Sequence, residues 1–113
     1  MIYTEQIDIH GFLTKRWKND EGLLHREGEP AEITYYAAGS IMSKHFFFNG
    51  KMQNPFGPSS LHYYPDGSIN MEFFHLFGEY LGQGNEGFWK LWERLTDEQR
   101  RHPNILKCLA VYS

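Results

Sequence analysis

Six histidines and a single cysteine are the residues of this 113-residue chain best suited to hold a metal or to attack an electrophile. His45, His62 and His75 could form a metal site, but no Cys or carboxylate stands beside them at ligand spacing, so no metal is assigned. A small histidine-dependent hydrolase or nuclease is the enzymatic alternative these residues leave open. His10 and His25 fall beside glycine turns and read as solvated. Cys108 lies in the apolar run ILKCLAVY, and His102 is six residues away across Pro103. A thiolate nucleophile needs a base and an electropositive, partly open setting, so Cys108 reads as a small core residue. GQGNEG at 82–87 lacks the lysine of a phosphate loop and the spacing of a dinucleotide fingerprint, and reads as a flexible connection. No catalytic residue and no cofactor is assigned.

The whole chain narrows the remaining classes. Eleven basic against fourteen acidic residues give a net charge of −3, and the cations are scattered rather than gathered into the basic stripe of a nucleic-acid binder. No run approaches the ~20 apolar residues of a membrane span, and the N-terminus lacks a signal-peptide core. One unpaired cysteine suits a reducing compartment, so the expected location is the cytoplasm. Aromatic residues make up 17% of the chain despite its hydrophilic average, which concentrates the apolar area in rings.

Those rings are carried by a repeated segment. PAEITYYAAGSIMSKHFFFNG at 30–50 returns as PSSLHYYPDGSINMEFFHLFG at 58–78, a shift of 28 without an insertion, with 8 of 21 positions identical. A gapless repeat of this length is the signature of stacked supersecondary units. Alternation and turn residues make each unit a short strand (about 32–36 and 60–64), a turn, and a longer strand (about 41–48 and 69–76). A third short strand follows near 51–53 and 79–81. Pro65-Asp66-Gly67 is a turn with a mechanism, and Asn49-Gly50 signals a two-residue type I′ hairpin, whose counterpart Phe77-Gly78 keeps only the glycine. Another shift of 28 places Gly11 on Gly39 and Gly22 on Gly50, a worn first copy.

The period fails after Leu81. Phe88, Leu91, Trp92 and Leu95 have helical spacing, although a further repeat strand there is the competing reading. Thr96 and Gln99 form a capping-box pattern, and Pro103 suits the first position of a last helix. The expected fold is mainly β with α+β character: one domain, an antiparallel meander of 28-residue β-hairpin repeats under a C-terminal helical cap. Its parts are 1–29 (degenerate hairpin), 30–57 and 58–85 (repeats) and 86–113 (cap).

YYAAGSI and YYPDGSI, followed by FFFNGK, resemble the segments of the YwqK-type antitoxin repeat, a variant of the MORN class. LLHREGEPA at 23–31 is similar to the LHREDGPA phrase of bacterial and phage repeat proteins. The resemblance spans about 23–81, with departures at Glu29 and Phe77. It implies a hairpin array that acts by binding another protein, a toxin or a defence-system component, as an antitoxin or a phage inhibitor such as an anti-CRISPR would. It carries no catalytic residues.

Strand alternation then sorts the side chains by face. Trp17, His45 and Phe73 are expected on one face, with Lys44 opposing Glu72 on the other. The expected partner-binding residues are Tyr36, Lys44, Phe46, Phe48, His62, Tyr64, Glu72 and Phe74. A third class, self-assembly into a homo-oligomer through unpaired edge strands, follows from the same architecture.

Overall fold

The computed structural model describes residues 1–113. It has nine strands, seven of them in one antiparallel meander, with three helices at its C-terminal end. The strands are β1 (Ile2–Ile7), β2 (Leu13–Lys18), β3 (Glu32–Tyr35), β4 (Ile41–His45), β5 (Phe47–Phe48), β6 (Lys51–Met52), β7 (Ser60–Tyr63), β8 (Ile69–Leu76) and β9 (Glu79–Gln83). The main sheet runs β1-β2-β3-β4-β7-β8-β9, and β5 with β6 forms a two-stranded excursion between β4 and β7. Helices α1 (Gly84–Arg94), α2 (Asp97–Arg100) and α3 (Pro103–Tyr112) follow. None is long and apolar enough to cross a membrane.

Local hydrogen bonding recurs every 28 residues. The Tyr36 N–H donates to the Ser40 carbonyl (2.8 Å) and the Gly39 N–H to the Tyr36 carbonyl (2.9 Å). Tyr64, Ser68 and Gly67 reproduce both bonds at 2.8 and 2.9 Å, and Asp8, Phe12 and Gly11 do so at 3.1 Å. In the β5–β6 turn the Asn49 N–H donates to His25 Nδ1 (2.9 Å); in the β8–β9 turn the Phe77 N–H donates to Gln53 Oε1 (3.0 Å). Asn49 and Phe77 share a left-handed backbone, with φ of 48° and 50°. Phe77 therefore holds the hairpin turn that its side chain gave no reason to expect.

Several expectations are corrected. The long strand expected over 41–48 breaks at Phe46, whose N–H donates to Ser59 O while its carbonyl accepts from Gln53 N–H, so the chain leaves the sheet. Register shifts at Thr34/Tyr35 and His62/Tyr63 interrupt the alternation. β1 and β2 pair over six residues without one. A one-residue offset exchanges faces. Arg16, Glu32, His45, Ser60 and Phe73 occupy one cross-strand row, so Trp17, next to Arg16, points away from His45 and Phe73. Lys44 and Glu72 do not oppose each other; Leu61 lies between them.

Nor is 82–87 a connection. β9 runs to Gln83 and α1 begins at Gly84, because two glycines let the helix backbone rest on the strand. A β-carbon on Gly87 would lie 2.2 Å from the Gly82 carbonyl oxygen. The contact docks α1 over β8 and β9, where Phe74, Leu76, Leu81, Phe88, Leu91, Leu95 and Ile105 form the core. The Thr96–Gln99 capping box is made in full, and Pro103 opens α3 behind the His102 cap.

Two stability changes follow. Gly87→Ala should cost about 2–3 kcal/mol in urea unfolding, because backbone rather than a movable side chain must give way. Phe77→Asn should gain about 1 kcal/mol by relieving a left-handed, 74% exposed phenylalanine, read as a higher urea midpoint.

Candidate functional site

The sheet has two unlike faces. One, the histidine side, carries Arg16, Glu32, His45, Ser60 and Phe73 in one row, and Thr14, Thr34, Ser43, His62 and Met71 in the next. These groups satisfy one another across strands. Arg16 Nε donates to Glu32 Oε2 at 2.9 Å, and the Thr14 and Thr34 hydroxyls lie 3.1 Å apart. Ser60 Oγ is 2.9 Å from His45 Nδ1 and 3.4 Å from His62 Nε2. His75 lies nearby but bonds elsewhere, with its Nδ1 2.7 Å from Ser59 Oγ. A serine nucleophile must be reachable, and Ser60 is only 4% exposed. The two imidazoles instead hold that hydroxyl in the sheet.

Burial pushes the pKa of His45 below its ordinary value, His62 and His75 push the same way, and Glu32 opposes them. Burial also lowers His75. The neutral imidazole is therefore the form compatible with this packing.

The opposite, helix side carries a row of Glu5, Lys15, Ile33, Lys44, Leu61 and Glu72. Lys15 Nζ lies 5.1 Å from the Tyr35 ring centre, Lys44 Nζ 5.7 Å from that of Tyr63, and the Arg26 guanidinium 3.9 Å from that of Trp17. Each cation is drawn over a ring face by the aromatic quadrupole. Only the β8–β9 end of this side is roofed by α1 and α3: Phe74 packs edge-on against Phe88 and Tyr112, and the Tyr112 hydroxyl donates to Glu72 (2.8 Å). Where α3 stops, a groove begins. Lys44, Leu61 and Tyr63 form its sheet wall, Lys107 and Cys108 its helix wall, around a cavity of about 270 Å³. Across Phe46, Asn54 and Phe56 it continues into a second cavity of about 410 Å³, bounded by Arg26, Phe47 and Phe48. Burial, with Glu72 adding to it, raises the Cys108 thiol to about 11, so it lines the groove as a neutral thiol.

The residues expected to bind a partner separate accordingly. Lys44, Phe46, Phe48 and Glu72 line the groove or its extension along α3. Phe74 does not: it is fully buried under the helices and belongs to the core. His62 faces the histidine side. Tyr36 lies at a turn, tied by its hydroxyl to the Tyr63 carbonyl (2.7 Å), and Tyr64 begins the next turn. The register shifts bring Tyr35 and Tyr63 to the side of Phe46, over the lysines. Phe56, Asn54 and Lys107 were not anticipated, since their approach depends on the 53–58 loop and α3 meeting. No family model, curated protein or solved structure matches this chain.

The depressed histidines set a pH dependence. Their unfolded value is near 6.5 and their folded values lie lower, so the unfolded chain binds more protons in between. The stability they contribute is present above about 6.5 and lost as pH falls through the folded values. Urea midpoints should drop between pH 7 and pH 5.5, and drop less in His45→Gln, which keeps a hydrogen-bonding partner for Ser60.

Proposed function

We propose that this chain is a non-enzymatic binding module that recognises and inhibits another protein through the helix side of its sheet. The observation carrying this reading is the groove at the boundary between roofed and open sheet, floored by Phe46 and Phe56 and edged by Lys44 and Lys107. Rings backed by cations, beside a concavity, offer a partner the buried aromatic anchors and polar rim that binding energy favours. The 28-residue recurrence of turns supports reading the sheet as an array of hairpin units. With the YwqK-type resemblance, it favours an antitoxin or a phage inhibitor over a catalyst. The self-satisfied Ser60–His45–His62 cluster supports the same choice, because its hydroxyl is already committed to the fold.

Affinity capture from the native host, read by mass spectrometry, tests the proposal. Wild type and Tyr80→Asp, altered at an exposed residue beside Phe73 and His75, should capture the same protein. Phe46→Asp should lose it by at least tenfold while keeping the wild-type circular dichroism. Equal capture by Phe46→Asp would overturn the assignment of the groove.

A further inference from the structure

Resting on that reading, we infer that the helix side is a cradle for an amphipathic helix of the partner, lying across the strands with two carboxylates seated on Lys15 and Lys44. The row Glu5, Lys15, Ile33, Lys44, Leu61, Glu72 alternates cations with aliphatic groups and ends in an acid on each side. Neither lysine takes part in an ion pair; Lys18, Lys51, Arg101 and Lys107 share that state, but only Lys15 and Lys44 stand in this row. Tyr35 and Tyr63 instead hold their ammonium groups along the sheet. The two carboxylates flanking the row are already engaged, Glu5 by the Tyr3 hydroxyl and Glu72 by that of Tyr112. The open positive charge in the row is therefore that of the two lysines.

Spacing decides the form of the occupant. Lys15 and Lys44 are two strands apart, about 9.6 Å at the usual separation. Residues i and i+7 of a helix are about 10.5 Å apart on one face. An extended segment repeats each face every ~6.8 Å, which matches neither one strand spacing nor two. A helix with acids at i and i+7 sets residues i+3 and i+10 near Ile33 and Leu61, where apolar side chains fit. Its i−4 position approaches Glu5 and calls for a basic residue, while Glu72, held by Tyr112 under α3, marks where the cradle ends. The row thereby fixes the register: a shift by one strand toward β1 would bring acid onto Glu5, and a shift the other way would lay both acids on Ile33 and Leu61.

The test uses a synthetic helical peptide with Glu at i and i+7, Leu at i+3 and i+10, and Lys at i−4, titrated by fluorescence anisotropy. Binding should weaken at least tenfold when both Glu become Gln, and equally when the protein carries Lys15→Glu with Lys44→Glu. A peptide with Lys at i and i+7 should recover affinity for that double variant, which a merely unfolded protein could not give. Equal binding of the Gln peptide, or no binding of any peptide, would overturn the helix cradle. So would lysine-dependent binding of a single-stranded oligonucleotide in place of the peptide. Host-protein capture unaffected by the double variant would overturn it too, while leaving the broader reading standing; failure of wild type to capture any protein would remove that reading as well.

Discussion

Seven strands at about 4.8 Å spacing make a sheet about 29 Å wide, whereas an 11-residue helix such as α1 is about 16 Å long. Three short helices can roof one end of such a sheet and no more. Everything else in this molecule follows from where that roof stops. Under it, Phe74, Phe88, Leu91 and Ile105 are sealed into a core; beyond it, the same side of the sheet keeps its rings and cations half-exposed. The boundary is set by one close backbone approach, Gly87 on Gly82, which fixes where α1 begins and which strands it covers.

The two faces of the open region solve the lack of a roof differently. On the histidine side, polar groups pair across strands until little is left unsatisfied: Arg16 with Glu32, Thr14 with Thr34, and Ser60 between two imidazoles. On the helix side, lysines lie over tyrosines without carboxylate partners. A face whose charges are already matched gains little from a partner, because contact would break good hydrogen bonds. A face of unmatched cations on rings has more to gain, and this asymmetry favours the helix side as the binding surface.

Much of the architecture was legible in the chain. The antiparallel β meander with C-terminal helices, the Asn49-Gly50 turn, the Thr96–Gln99 cap and the helical spacing of Phe88, Leu91, Trp92 and Leu95 all rest on local chemistry, which sequence displays directly. The faces were not legible. Register shifts at Thr34/Tyr35 and His62/Tyr63 leave no local signal, yet they bring Tyr35 and Tyr63 to the side of Lys44 and Phe46. Lys44 and Glu72 were expected to oppose each other, but the meander sets β7 between β4 and β8, and Leu61 separates them. The loop at 53–58 escaped notice because its value depends on α3 lying opposite. Glycines at 82–87 looked like a linker, since a close approach and a flexible segment call for the same residue.

The proposed function makes the open helix side, rather than the histidine side or the helices, the surface that meets another protein. Hydroxyl-radical footprinting of the chain, free and bound to its captured partner, reads that surface side chain by side chain. Binding should suppress oxidation of Tyr35, Phe46, Phe56 and Tyr63 and leave His62, Phe73 and Tyr80 unchanged. Protection of His62, Phe73 and Tyr80 with continued oxidation of Tyr35 and Tyr63 would contradict it.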